Sequence, residues 1–347
     1  MDNTCQNNNT IERRMGTMIL AGDIGGTNIR LALFRCHENG FKLFREDTLL
    51  SRNYGSLIEA VKTFLLQDKA LIRSACFGVA GPINQGKCKM TNLPWLIDTK
   101  ELIKYLGISL VVLLNDLEAT AYGVLKLTDK EFHTLNIGVP DLQGNRAIIA
   151  VGTGLGKAIL FQNGTTYLPV ATEGGHCDFA PRNAIEIALL EYLLKRYSRV
   201  SYERVLSGSG LFNIYQFLKK TGRGEEPAWL SERLTTESPG AVISEVALAG
   251  KSTLCIKALN LFVSLYGAEA GNLALTTMAT GGIYVGGGIA PKIIQKLIDG
   301  TFMKAFCDKG RYSAMLHRIP VHVIMNDKAA LLGAAHVAQK ALIEGRS

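Results

Sequence analysis

Apolar and polar residues follow the same order in two separate blocks of this chain. Residues 18–34, MILAGDIGGTNIRLALF, are an apolar run, a glycine-rich turn and a second apolar run. Residues 146–161, RAIIAVGTGLGKAILF, repeat that layout. Two apolar strands joined by a short glycine turn are typical of a β-hairpin. The pattern therefore predicts two related hairpins, and a third strand, GGIYVGGGI, ends in Gly286-Gly287-Gly288.

Strand-like and helix-like segments alternate along the rest of the chain. The buried strands predicted from continuous apolar runs are LIRSACFGVAG (71–81) and SLVVLLND (109–116). Helical spacing of apolar residues predicts helices in 99–108, 117–126, 184–197, 253–275 and 327–342. Residues 221–240 are polar and turn-rich, which predicts a surface excursion. Alternating strands and helices indicate an α/β protein, and one glycine hairpin in each half predicts two related lobes that face a cleft.

Composition narrows the class of protein. A chain of 347 residues, 47% of them hydrophobic, fits two domains of ordinary size, and it has no apolar stretch long enough to predict a membrane span. The net charge is +8, but lysine and arginine are scattered, which argues against nucleic-acid binding. Seven cysteines without a CxxC pair predict neither a disulfide framework nor a zinc site and favour the cytoplasm. The polar first 16 residues lack a secretion signal and are expected to be a disordered leader.

Glycine turns suit phosphate binding, because a backbone without Cβ comes close to phosphate and aims several N–H donors at it. The first candidate is Gly22-Asp23-Ile24-Gly25-Gly26-Thr27, and the second includes Gly152, Thr153, Gly154 and Gly156. Asp23 is a candidate for Mg²⁺, most simply through water. A single such turn also fits a plain tight hairpin, but two matched turns and a third glycine cluster favour phosphate. The Walker pattern GxxxxGK[ST] is absent.

Two polar clusters are candidates for substrate chemistry. Asn115-Asp116 lies where an apolar strand ends and a helix begins, so Asp116 fits a helix N-cap, a general base for a substrate hydroxyl, or both. The segment Glu173-Gly174-Gly175-His176-Cys177-Asp178 offers carboxylates and an imidazole for a neutral sugar, although such a segment is also compatible with a structural role. Glu203 alone looks like an ordinary first-turn glutamate of a helix.

In order along the chain, seven motifs together resemble the bacterial-type glucokinases of the actin-like, Hsp70-like ATPase superfamily. They are GDIGGTNIRLALF, TNLPWLID, LLNDLEATAYG, VGTGLGKAIL, EGGHCDFAPR, ERVLSGSGL and YVGGGIAP. The resemblance covers about residues 19–338. It implies a ribonuclease H-like fold with a small domain of 17–126 plus 323–347, a large domain of 127–322, and a homodimer.

The resemblance also implies residue roles. Asp116 would activate the 6-hydroxyl of glucose. Glucose would be bound by Asn115, Asp116, Glu173, His176 and Glu203, with Asn92 as a weaker candidate. ATP would lie on Gly22, Asp23, Ile24, Gly25, Gly26, Thr27, Gly152, Thr153, Gly154 and Gly156, with Gly287 and Gly288 near the adenosine and Mg²⁺ near Asp23.

Two other functions stay open at this point. One is a kinase of another hexose, such as mannose, fructose or an N-acetylated hexosamine. The other is a non-catalytic sugar-binding regulator of the same fold. The presence of Asp116 and the lack of room for a DNA-binding segment before residue 17 argue against the regulator. No cysteine cluster follows the GH dipeptide, which argues against the zinc-containing repressor and kinase family.

Overall fold

The structure, a computed structural model, describes residues 17–37, 40–66, 71–90 and 92–345. The predicted leader, residues 1–16, lies outside these ranges. The strands are, in chain order, β1 (Met18–Ile24), β2 (Asn28–His37), β3 (Gly40–Leu50), β4 (Ile72–Val79), β5 (Ile83–Asn84), β6 (Lys87–Lys89), β7 (Leu96–Asp98), β8 (Leu110–Asn115), β9 (Phe132–Asn136), β10 (Arg146–Val151), β11 (Leu155–Asn163), β12 (Thr166–Thr172), β13 (Gly282–Gly286) and β14 (Val321–Ile324).

The α-helices follow in the same way. They are α1 (Leu57–Leu65), α2 (Thr99–Leu106), α3 (Asp116–Val124), α4 (Ala184–Leu194), α5 (Gly208–Lys220), α6 (Ala228–Thr236), α7 (Pro239–Leu248), α8 (Thr253–Thr277), α9 (Ile294–Leu297), α10 (Thr301–Cys307), α11 (Ser313–Arg318) and α12 (Ala329–Glu344). The α/β class and the two predicted hairpins, β1–β2 and β10–β11, are confirmed.

The chain divides into two compact units. Unit 1 comprises Met1–Leu127 and Lys328–Ser347, and unit 2 comprises Thr128–Asp327. The predicted boundary at residue 323 falls inside β14. Because β14 pairs in parallel with β13, the whole strand belongs to unit 2.

Unit 1 is built on a five-stranded sheet in the order β3-β2-β1-β4-β8. Strands β1, β4 and β8 are parallel, whereas β2 and β3 are antiparallel additions. Apolar side chains are buried on both faces. One face packs with α1 and α2, and the other packs with α3 and α12. A parallel sheet covered on both faces explains why β4 and β8 read as continuous apolar runs.

Unit 2 contains a six-stranded sheet in the order β12-β11-β10-β13-β14-β9. Its first five strands repeat the plan of unit 1, since two antiparallel strands are followed by parallel pairs β10–β13 and β13–β14. The sequence duplication is therefore a duplication of sheet topology. Helix α8 supplies much of the unit's core.

The segment 221–240 differs from its prediction. It contains α6 and the start of α7, and Leu230 of α6 is fully buried in the core of unit 2. The turn-rich composition did not predict this helix. Its polar side chains form ion pairs with nearby residues, as Arg233 does with Glu237 and Glu245.

Among the described residues, no single helix is long and apolar enough to cross a membrane. Helices α7 and α8 reach that length and apolar character only when taken together, and a bend of 103° separates them.

Candidate active site

The first glycine turn is a three-residue connection between β1 and β2. Gly25 N donates a hydrogen bond to Asn28 O across it, at 2.9 Å. The fully buried Ser51, directly after β3, supports the turn: its Oγ donates to Gly25 O and its N donates to Thr27 O, both at 2.9 Å. Sequence reasoning missed Ser51, because a single serine after a strand carries no motif. Its contacts fix the position of the backbone that is predicted to face phosphate.

The predicted turn from Gly22 to Thr27 is longer than the observed one. Gly22, Asp23 and Ile24 lie within β1, and Ile24 is fully buried. A Cβ on Gly22 would lie 2.6 Å from Cδ1 of Phe77, so Gly22 allows close packing with β4. Gly22 and Ile24 therefore serve the core beneath the turn.

Asn92 lies beside this turn. A Cβ built on Gly26 would be only 2.8 Å from Cβ of Asn92. The absence of a side chain at Gly26 thus lets the exposed Asn92 come up against the turn. The structure places this weaker sugar candidate next to the predicted phosphate site.

The carboxyl ends of β1, β4 and β8 meet at one edge of the sheet in unit 1. Asp23 is level with Gly78 on β4, and both positions share the face that packs with α3. A Cβ on Gly78 would lie 2.8 Å from Cβ of Ala119 and 3.9 Å from Cα of Asp116. Gly78 therefore lets the first turn of α3 lie directly on the sheet, which brings Asp116 into the neighbourhood of Asp23. This edge is where α/β proteins gather their ligand-binding residues.

Asn115, not Asp116, is the N-cap of α3. Asn115 Oδ1 accepts a hydrogen bond from Leu117 N at 2.9 Å, and its Nδ2 donates to Gly81 O at 3.4 Å. Asp116 is the first helical residue, and its Oδ1 also accepts from Leu117 N, at 2.8 Å. The N-cap interpretation of Asp116 was thus wrong by one residue. The positive end of the helix favours the negative charge of the carboxylate.

Two neighbouring groups report on the polarity of this edge. Burial raises the pKa of the Cys88 thiol, and the charge of Asp116 raises it further. Burial also raises the pKa of Glu118, which lies two residues after Asp116 in the first turn of α3. Both shifts indicate that these two side chains are partly shielded from water.

The second glycine turn joins β10 to β11 in unit 2. Gly152 N donates to Gly154 O at 2.9 Å, and Gly208 N, at the start of α5, donates to Gly152 O at 2.9 Å. Gly287 has a φ of +83°, and a Cβ there would be 2.3 Å from Val151 O. Only glycine allows that approach. The turn after β13 therefore packs against the turn after β10.

Glu203 is attached to this second turn. Its Oε2 accepts a hydrogen bond from Leu155 N at 3.0 Å and lies 2.5 Å from where a Cβ on Gly154 would be. On the other side, a Cβ on Gly175 would be only 1.9 Å from Leu155 O. Leu155 thus separates Glu203 from the segment that carries Glu173, and it contacts both.

A short antiparallel pairing brings His176 to the same place. Tyr202 N donates to Cys177 O, and Phe179 N donates to Val200 O, each at 2.9 Å. The exposed Arg199 donates from Nη1 to His176 O at 2.8 Å and contacts a carboxylate oxygen of Asp178 at 2.7 Å. The structure therefore assembles three predicted sugar residues of unit 2, which are Glu173, His176 and Glu203. Spacing in the sequence does not predict that Leu155 lies between Glu203 and the segment of Glu173, or that Arg199 contacts His176 O.

Metal ligands do not form a preassembled cluster in the part of the chain that is described. No group of three or more His, Cys, Asp or Glu side chains there has the arrangement to hold a metal ion.

Known glucokinases match this chain over almost its whole length. The glucokinase family model matches residues 20–341. The chain is 41% identical to a glucokinase of Nostoc punctiforme over 339 residues, which cover 93% of this chain and 99% of that protein.

Solved structures give the same result. A glucokinase from an Antarctic psychrotroph has a TM-score of 0.79 at 31% identity and covers 93% of this chain and 99% of its own. A Balamuthia mandrillaris glucokinase solved with glucose has a TM-score of 0.78 at 25% identity, covering 93% and 94%. A Streptomyces griseus ROK family glucokinase solved with glucose and AMPPNP shares the fold, with a TM-score of 0.64 at 20% identity, covering 93% and 99%. By its sequence, and with a two-unit α/β fold that matches solved glucokinases, this chain belongs to the glucokinase family.

Proposed function

We propose that this protein transfers the γ-phosphoryl group of ATP to the 6-hydroxyl of glucose, giving glucose 6-phosphate and ADP. The observation that carries the proposal is the grouping of Glu173, His176 and Glu203 around Leu155, directly beside the second glycine turn. Carboxylates and an imidazole offer hydrogen bonds to sugar hydroxyls, while the adjacent turn offers backbone N–H groups to phosphate. Glucose in the Balamuthia glucokinase supports this choice of sugar.

The sugar-binding set has two parts. We assign Asn115 and Asp116 of unit 1 and Glu173, His176 and Glu203 of unit 2 to glucose. Asn92 is assigned a secondary contact only, because it lies against the first glycine turn.

The phosphate-binding set consists mainly of glycine backbone. We assign ATP to Gly25, Gly26 and Thr27, with Gly22, Asp23 and Ile24 as the strand that leads into them, and to Gly152, Thr153, Gly154, Gly156, Gly287 and Gly288. AMPPNP in the Streptomyces enzyme of this fold supports a nucleotide of this class.

Asp23 is the residue of this chain that suits Mg²⁺. Its half-buried carboxylate lies at the end of β1, beside the first turn. Mg²⁺ is commonly held by one or two carboxylates, substrate phosphates and water, so a single carboxylate here fits the ion. When bound, Mg²⁺ neutralises charge on the phosphates of ATP.

Asp116 is assigned as the general base. Its carboxylate accepts the proton of the 6-hydroxyl as that oxygen forms its bond to the γ-phosphorus. The bond between the γ-phosphorus and the bridging oxygen breaks, and that oxygen leaves with ADP. The glycine turns hold the phosphates so that attacking and leaving oxygens are in line.

A substrate panel tests the function. ADP release is measured with glucose, mannose, fructose and N-acetylglucosamine, and an assay specific for glucose 6-phosphate identifies the product. We expect the highest kcat/KM for glucose. A higher value for another hexose would reassign the substrate, and no ADP release with any of them would favour the non-catalytic regulator.

We further propose a homodimer, on the basis of the resemblance to bacterial-type glucokinases, and a cytoplasmic location, on the basis of seven cysteines without a CxxC pair. Light scattering on the purified protein measures the oligomeric state. A monomer at assay concentrations would contradict the dimer without affecting the assigned chemistry.

A further inference from the structure

A charged pair is enclosed in unit 2 beneath the second glycine turn. Lys157, the third residue of β11, contacts a carboxylate oxygen of Glu269 in α8 through its ammonium group. Their side chains are only 6% and 4% exposed. Removing two charges from water is unfavourable unless additional hydrogen bonds satisfy them. A well-packed apolar pair would hold the fold equally well, so the pair calls for an explanation beyond stability.

Hydrogen bonds extend this pair to Tyr202. Asn272 Nδ2 donates to Glu269 Oε2 at 2.8 Å and to Tyr202 Oη at 3.1 Å. Lys309 Nζ donates to Asn272 Oδ1 at 2.6 Å. The Lys157 ammonium lies 5.4 Å from the centre of the Tyr202 ring. Burial raises the pKa of Tyr202, and the charge of Glu269 raises it further. The effect of burial indicates that water has little access to the network.

Lys157 also supports the segment that carries Glu173. A Cβ on Gly174 would lie 2.9 Å from Cδ of Lys157, so the lysine stem packs directly against the Gly174 backbone. Lys157 O accepts a hydrogen bond from Thr172 Oγ1 at 3.0 Å, and Thr172 Oγ1 in turn accepts one from Gly174 N at 3.2 Å. Both the stem and the backbone of Lys157 therefore set the position of the residue that follows Glu173.

We propose that Lys157 and Glu269 are positioning residues for glucose. Through Gly174 they fix Glu173, and through Tyr202 they fix the neighbouring Glu203. The ion pair holds these two parts of the sugar-binding set at one separation, because neither end can move without separating buried charges. This inference rests on the proposed roles of Glu173 and Glu203. Neither Lys157 nor Glu269 is assigned a contact with glucose or ATP.

The main test removes both charges and retains the volume. Removing one partner alone strands a buried charge and endangers folding, so the variant is the double change Lys157→Met/Glu269→Gln. We expect a Tm within a few degrees of wild type and a glucose KM raised about tenfold or more, because the loss of fixed geometry weakens sugar binding. The KM for ATP should change less than about threefold, since Gly208 holds Gly152 independently.

A second variant retains the charges and changes only the reach. Glu269→Asp withdraws the carboxylate from Lys157 by one methylene, and we expect a smaller rise in glucose KM, about threefold, with little change in the KM for ATP. A merely structural role would lower Tm without this split between the two KM values. Wild-type glucose KM in both variants would overturn the inference.

Glu203→Gln separates this inference from the proposed function. If Glu203→Gln raises the glucose KM while Lys157→Met/Glu269→Gln and Glu269→Asp do not, the sugar site stands and the positioning role is refuted. If Glu203→Gln has the glucose KM of the wild type, the assigned sugar site is itself wrong, and the positioning role is refuted with it.

Discussion

Gly175→Ala gives the most specific perturbation of the sugar-binding set in unit 2. Gly175 lies between Glu173 and His176 and is buried. An alanine Cβ there would be 1.9 Å from the carbonyl oxygen of Leu155. The nearest comfortable approach of carbon to a carbonyl oxygen is about 3.3 Å. One of the two backbone segments must therefore move by about 1.4 Å, the difference between 3.3 and 1.9 Å.

This displacement separates groups that we assign to glucose. Leu155 N holds the carboxylate of Glu203, so moving Leu155 moves Glu203, and moving Gly175 moves Glu173 and His176. A misplacement of about 1 Å can cost on the order of 100-fold in rate. We therefore expect kcat/KM for glucose to fall about 100-fold, which corresponds to about 2.7 kcal/mol of transition-state stabilisation.

The assay is steady-state kinetics with glucose and ATP varied separately, beside a thermal melt. Overpacking also costs stability, about 1–3 kcal/mol, so a matched control is needed. The matched control is Gly144→Ala. A Cβ there would be 2.1 Å from Oγ1 of Thr280 and 2.5 Å from Gly281 N, so it causes overpacking of the same kind. It does so at the opposite end of β10 from Gly152. We expect the control to lose stability with kcat/KM for glucose within about threefold of wild type. Wild-type kcat/KM in a folded Gly175→Ala protein would refute the reasoning.

Two further predictions concern unit 1. Ser51→Ala removes the hydrogen bond to Gly25 O, which is worth about 1 kcal/mol. The KM for ATP should therefore rise about fivefold, with little change in the KM for glucose. An equal rise in both KM values would contradict a specific effect on the turn. Burial, aided by the charges of Lys126 and Lys340, lowers the pKa of His336 to about 4. In the unfolded chain His336 has its ordinary pKa of 6.5, so as the pH falls it takes up a proton before the folded chain does. The free energy of unfolding that is present above pH 6.5 is therefore lost as the pH falls towards 4. For this partly buried group we expect a loss of about 1–2 kcal/mol after allowing for solvent screening. Urea unfolding at pH values from 7 to 5 should show a smaller loss of unfolding free energy in His336→Gln than in the wild type. The same dependence on pH in the two proteins would contradict the role of His336 in this loss.

Much of the fold was predictable from local patterns. The hairpins β1–β2 and β10–β11 follow from apolar runs on either side of glycine, and the parallel strands β4 and β8 follow from continuous apolar runs. The helix α6 was not predicted, because its single fully buried residue, Leu230, leaves no periodic apolar stripe to detect.

Candidate site residues could be chosen from the sequence by residue type, but the contacts that arrange them could not. Glycines and carboxylates can be picked out by residue type. The Oγ of Ser51 and the backbone N–H of Leu155 instead act on residues distant in sequence, and neither contact leaves a motif. The pair Lys157 and Glu269 is separated by 112 positions, and only the packing of α8 against the sheet brings the two charges together. The length of the first turn was overestimated, because Gly22 resembles a turn glycine in sequence but packs against Phe77 in the core.

Glucose binding and turnover of Asp116→Asn, measured on the same preparation, test the central claim most directly. Calorimetry gives the Kd for glucose, and a single-turnover experiment gives the rate of phosphoryl transfer. We predict a folded protein with a glucose Kd within about threefold of wild type and a transfer rate lowered by about 100-fold or more, because the amide cannot accept the proton of the 6-hydroxyl. A near-normal transfer rate in this variant would contradict the assignment of Asp116 as the base.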